Sequence, residues 1–184
     1  IDGNAVGGPP IADPLAVARE APPPAHPAAL RAGVRLGAIA ASHPGGSRLG
    51  PSFAVELHVA APWQDAAATH PWGLVARFDA SERGGADVPI DAIGASAGVD
   101  KVIAAPPAAW LALGVALRGE ARLGGMTADR FGLGAAATLE LALRRLPITV
   151  GARFEQDLTE LAPGLREHAI VIELGGELRA YGSK

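Results

Sequence analysis

The stretch Phe131 to Phe154 reads FGLGAAATLELALRRLPITVGARF. In its first half Phe131, Leu133, Ala135, Ala137, Leu139, Leu141 and Leu143 are apolar, and Gly132, Gly134, Ala136, Thr138, Glu140, Ala142 and Arg144 between them are small or polar. A period of two belongs to a strand, whose side chains point alternately to opposite faces. After Arg145-Leu146-Pro147 the alternation resumes, with Ile148, Val150, Ala152 and Phe154 opposing Thr149, Gly151, Arg153 and Glu155. Two such runs joined by a tight turn predict a β-hairpin. The composition favours helix, but at about 100° per residue Leu139, Leu141 and Leu143 would scatter around it, with Glu140 and Arg144 cutting their face. Each run is also about ten residues or more, the length at which a tilted strand crosses a bilayer.

The same pattern extends through the chain on both sides of this hairpin. Val34, Leu36, Ala38 and Ala40 oppose Arg31, Gly33, Arg35 and Gly37 up to the turn-rich His43-Pro44-Gly45-Gly46-Ser47. Phe53, Val55, Leu57 and Val59 then oppose Ala54, Glu56, His58 and Ala60, and Trp72, Leu74, Ala76 and Phe78 oppose Gly73, Val75, Arg77 and Asp79. A fourth run, Ile93 to Val99, is the weakest. A fifth, Leu111 to Leu123, carries Gly119 as a candidate bulge, and a last one carries Ile170, Ile172 and Leu174. The expectation is an all-β chain: an eight-stranded antiparallel up-and-down transmembrane β-barrel over residues 29–184.

Residues 1–28 hold Pro9, Pro10, Pro14, Pro22, Pro23, Pro24 and Pro27, too many for a helix or an inner strand. An extended Pro-rich arm is expected there, with the Pro22 to Pro27 part favouring polyproline II.

Composition narrows the function. In 184 residues there is no cysteine, so disulfides and thiolate metal sites are excluded. Lys101 and Lys184 are the only lysines, and a net charge of −3 offers no basic patch for nucleic acid. No leader pattern opens the chain at Ile1, which fits a mature exported chain as well as a cytoplasmic one. Apolar runs are too short for a membrane helix, a test that barrel strands evade.

Alternation is equally consistent with a lipocalin-like barrel, apolar inside, and with a membrane barrel, apolar outside. Three features favour the second. The polar face is built of Gly, Ala, Arg and Glu, which suits a narrow lumen better than a water-facing exterior. Its charges alternate in strand order: Glu56 falls between Arg35 and Arg77, Glu140 between Arg118 and Arg153, and Glu173 between Arg153 and, on closure, Arg35. Such pairing is what buried charges require. The aromatics sort by strand end, with Trp63, Trp72, Trp110 and Tyr181 at one end and Phe53, Phe78, Phe131 and Phe154 at the other, as interface girdles would. The positions of Trp110 and Tyr181 have the parity of the polar face.

In these alternating strands, girdles and Arg/Glu face, residues 30–182 resemble the small outer-membrane barrels of the OmpA-transmembrane-domain and OmpX type. The resemblance implies a bacterial outer-membrane location with periplasmic termini, outer-membrane lipid as surroundings, and a lumen plugged by the seven charges just named. It departs from that type in its short outer loops and in the Gly-Ser-Lys that follows Tyr181. The role expected is a structural anchor or subunit of an envelope assembly, with a protein partner for the arm. A small channel, a surface lipid-modifying enzyme and a soluble lipocalin-like binder are the alternatives.

Other motifs carry less. Gly132-Leu133-Gly134-Ala135-Ala136-Ala137 matches a loose dinucleotide fingerprint, but strand alternation already accounts for its glycines. Ser42, His43, Ser47 and His168 could supply a surface Ser/His pair, with no acid fixed by spacing. The five histidines show no ligand spacing, so neither a metal nor a cofactor is expected, and His58 reads as a lumen hydrogen-bonding group.

Overall fold

The computed structural model describes residues 29–43, 46–64, 68, 70–83, 91–123, 130–160 and 166–180. The Pro-rich segment 1–28 and Tyr181 lie outside the described residues. Eight strands follow one another: β1 (Leu30–His43), β2 (Gly46–Ala60), β3 (Trp72–Ser81), β4 (Ala92–Ala104), β5 (Ala109–Arg122), β6 (Arg130–Leu143), β7 (Ile148–Asp157) and β8 (His168–Ala180). Each pairs antiparallel with its neighbours in sequence, and β8 returns to β1 from Leu30↔Ala180 to Ser42↔His168, closing the barrel. Closure leaves no strand edge unpaired along the shared ladders.

Both strands of the Phe131–Phe154 hairpin form as their alternation predicts, with Ala142 opposite Thr149 next to the turn. β2 is longer than its alternation indicates. It begins at Gly46 rather than near Phe53, because Gly46 to Pro51 lack strand propensity and gain their ladder from β1, with Ala38 opposite Pro51 and His43 opposite Gly46. Pro51 sits just outside the β2–β3 ladder, which starts at Ser52↔Ser81. That is a position a residue without an N–H can occupy.

The irregularity expected at Gly119 is not there. Gly119 keeps register with Ala95 and Leu133, and the Phe131 ring covers its outward face, 3.2 Å from where a Cβ would stand. The shift falls instead between Val102 and Ala104 on β4. The fourth strand, weakest in sequence, is a full strand of 13 residues.

The two faces settle which kind of barrel this is. Apolar side chains point out: Leu36, Leu117, Leu133, Ile172 and Leu178 are 64%, 72%, 52%, 55% and 80% exposed. Charged ones point in: Arg35, Arg77, Arg118, Arg153 and Glu173 are all buried. The lipocalin-like arrangement is thereby overturned. From Ile170 to Leu178 the outward face of β8 rises about 26 Å along the strand, or roughly 20 Å vertically at a tilt near 40°.

Candidate functional site: a charge-filled lumen

Residues of one parity from eight strands converge inside the barrel. An eight-stranded barrel has an interior just wide enough for side chains, so an arginine from one wall meets a carboxylate on another wall. In the middle tier Arg35 Nε donates to Glu56 Oε2 at 2.7 Å. Arg77 reaches across to Glu173, with Nη1 donating to Oε2 at 2.8 Å and Nη2 to Oε1, and it also lies 3.7 Å from Glu56.

Toward the chain-terminal end, Glu140 takes Arg31 on Oε1 and Arg35 on Oε2, both at 2.6 Å. Arg31 adds contacts at 3.5 Å to Asp100 and Glu177. His58 Nδ1 lies 2.9 Å from Arg31 Nη2 and 3.0 Å from Asp100 Oδ2. It accepts from the guanidinium when bare and donates to the carboxylate when protonated. His58 is thus a lumen hydrogen-bonding group, as its position on the polar face indicated.

The opposite mouth is tied from above. Arg83, beyond the end of β3, turns inward to bond Glu155 and, at 3.0 Å, Glu167, while its N–H donates to Asp91 at 2.7 Å. Burial alone would lower the pKa of this guanidinium. The carboxylates of Glu155 and Glu120, then Glu167, outweigh that and hold it above the ordinary arginine value. Below it Arg118 joins Asp79 at 2.9 Å and Glu120, Arg153 joins Glu155 at 2.7 Å and Ser96 at 3.1 Å, and Arg122 joins Glu167 at 2.6 Å. With Arg179 on Glu177, eight arginines and nine carboxylates are tied together among the described residues.

All seven charges singled out in the sequence point into this lumen, but two of the three expected pairings are different. Glu56 does lie between Arg35 and Arg77. Glu140 pairs with Arg31 and Arg35, not with Arg118 and Arg153, because register puts it opposite Ala112, six positions along β5 from Arg118. Glu173 pairs with Arg77, not with Arg153 and Arg35. It stands opposite Gly151 and Gly37, two positions from each of those arginines. The network also takes in Arg31, Asp79, Arg83, Asp100, Glu120, Glu155, Glu167 and Glu177. Parity marked most of them as inward; their heights were not legible.

Glu56, His58 and Glu140 bring three ligating groups within 4.8 Å of one another, a proximity no sequence spacing signalled. Arg35 already bonds both carboxylates, so the resident cation there is a guanidinium. Beside it a cavity of about 30 Å³, lined by Arg35, His58, Glu140, Gly151 and Glu173 among others, has room for a water or two.

Phe53, Phe78, Phe131 and Phe154 are exposed on the outer wall, and Trp72 and Trp63 are exposed at the short-turn end. Trp110 is a correction. It is 3% exposed and faces inward, packed on Val102 and Ala142, with Arg144 and Arg179 over its ring at 5.2 and 5.5 Å. It floors the lumen instead of facing lipid. At the other rim Ser47, Ser42, His168 and Gln156 succeed one another in register, with Ser47 donating to Ser42 at 3.1 Å. The residue opposite His168 on β7 is an amide, Gln156.

The architecture is that of a small eight-stranded outer-membrane barrel. No protein-family model and no curated relative matches the sequence. Among solved structures, the chain is similar to Neisserial surface protein A at 12% identity, over 82% of this chain and 97% of that one, with a TM-score of 0.56. A looser likeness is to Ail, the attachment invasion locus protein of Yersinia pestis, at 13% identity over 83% and 99% of the two chains, with a TM-score of 0.44.

Proposed function

We propose that this chain is a non-enzymatic outer-membrane barrel of a Gram-negative envelope, a closed structural anchor or subunit of an envelope assembly. The observation that carries this reading is the reversal of faces: an apolar wall outside, with arginines and carboxylates paired across the interior. Water-facing barrels do the opposite. Arginines and carboxylates paired from wall to wall fill the interior where ions would have to pass, which favours an anchor over a channel.

Both ends of the barrel strands, Leu30 and Ala180, stand at the end that carries the tight 144–147 turn. In barrels of this type short turns are periplasmic. On that basis residues 29–184 form the membrane unit, the termini are periplasmic, and residues 1–28 reach inward as an arm for a protein partner. The test combines two measurements. A folded barrel migrates differently in gels before and after boiling, and pure monomer in planar bilayers leaves the membrane insulating. Steady conductance would overturn the closed lumen. Labelling of residues 1–28 from outside intact cells would overturn the arm's assignment.

A further inference from the structure

Among the described residues, eight lumen arginines each find a carboxylate, whereas on the outer wall of the strands one cation does not. Among the described residues, the outward strand positions are apolar or glycine except for Ser42, Ser47, Gln156 and His168 at one rim and Lys101 of β4 near the other. Lys101 pairs in register with Trp72 and Leu113, both exposed. Its Nζ lies 5.1 Å from the Trp72 ring centroid, and among the described residues no carboxylate pairs with it.

Across the two ladders Lys101 meets an indole and a leucine and no acid. We propose that Lys101 and Trp72 bind the anionic headgroup of a phospholipid in the leaflet at the short-turn end, a site that rests on the membrane reading above. Trp72 opens β3, so the pair stands at the boundary where a lipid-facing lysine ceases to be costly and an indole is favoured. The aliphatic stem lies along the apolar wall while the ammonium reaches the headgroups. The ring faces that ammonium without accepting its three N–H bonds in the way oxygens do, leaving donors for a phosphodiester.

The test uses the full chain carrying Trp63→Phe, so that Trp72 supplies the lipid-exposed fluorescence and buried Trp110 a constant background. The barrel is placed in phosphatidylcholine vesicles containing a minor share of phosphatidylglycerol, with brominated acyl chains on one lipid or the other. Brominated phosphatidylglycerol should quench Trp72 as if enriched roughly fivefold beside it, the scale for one basic residue at an anionic surface. Lys101→Arg should keep that enrichment and Lys101→Met should abolish it. Quenching at the random-mixing value with Lys101 present, or unchanged in Lys101→Met, would overturn the site while leaving the membrane barrel intact. If neither brominated lipid quenched Trp72, the membrane reading would fail and the site with it.

Discussion

Arg77 on β3 and Glu173 on β8 form a two-pronged ion pair across the lumen, although β1 and β2 separate their strands in the barrel wall. Removing one member leaves a buried charge alone, at a cost on the order of 3 to 5 kcal/mol. Glu173→Ala should therefore destabilise strongly, whereas Arg77→Leu combined with Glu173→Leu should cost clearly less than the sum of the single changes. Urea unfolding of the refolded barrel measures both. Strictly additive losses would mean that the two groups do not sense each other.

Glu140 offers a sharper discrimination, since two pairings can be compared. A double-mutant cycle between Glu140 and Arg35, 2.6 Å apart, should show coupling of about 1 kcal/mol or more. The cycle between Glu140 and Arg118 should be additive within about 0.5 kcal/mol. Glu160→Ala, which removes an exposed partner 3.9 Å from Arg166, should cost no more than about 1 kcal/mol.

The glycines of the inner face are not equivalent. A Cβ at Gly98 would stand 2.1 Å from the Val115 carbonyl oxygen, and one at Gly37 would stand 2.2 Å from that of Ile172. Either Gly→Ala change should cost roughly 1 to 3 kcal/mol, because backbone must shift. Gly151 lines the cavity, and its nearest atom would be 3.8 Å away. Gly151→Ala should be neutral or slightly stabilising, by up to about 1 kcal/mol, through the unfolded chain. Melting of the three variants in one detergent ranks them.

The outer wall should be intolerant of charge at mid-height. Val115 is 59% exposed at the centre of β5. Val115→Arg should lose roughly 2 to 4 kcal/mol of folding into vesicles, as expected for arginine at a bilayer midplane. The folded fraction read from gel mobility reports this. An unchanged fraction would point to an aqueous exterior.

The period of two in Phe131 to Phe154, repeated along the chain, was enough to determine eight strands and which side chains share a face, while the inside-out polarity was carried by the Gly, Ala, Arg and Glu of one face and by the aromatics at the strand ends. These are local properties, since alternation within one strand fixes which side chains share a face. Parity also carried the signal for Trp110, whose even number on β5 placed it with Ala112 and Arg118 inside. What alternation could not supply was height. Pairing across a lumen depends on register and tilt, which only closure of β8 on β1 sets. Thus Glu140 meets Arg31 and Arg35 from the far wall although Arg118 and Arg153 flank it in strand order. Arg83 and Glu167 lie outside any strand, where no period marks them, and only the tertiary structure brings them 3.0 Å apart at one mouth. Lys101 was conspicuous in the sequence as one of two lysines, and the ladder placing it beside Trp72 and Leu113 decided that its charge faces outward.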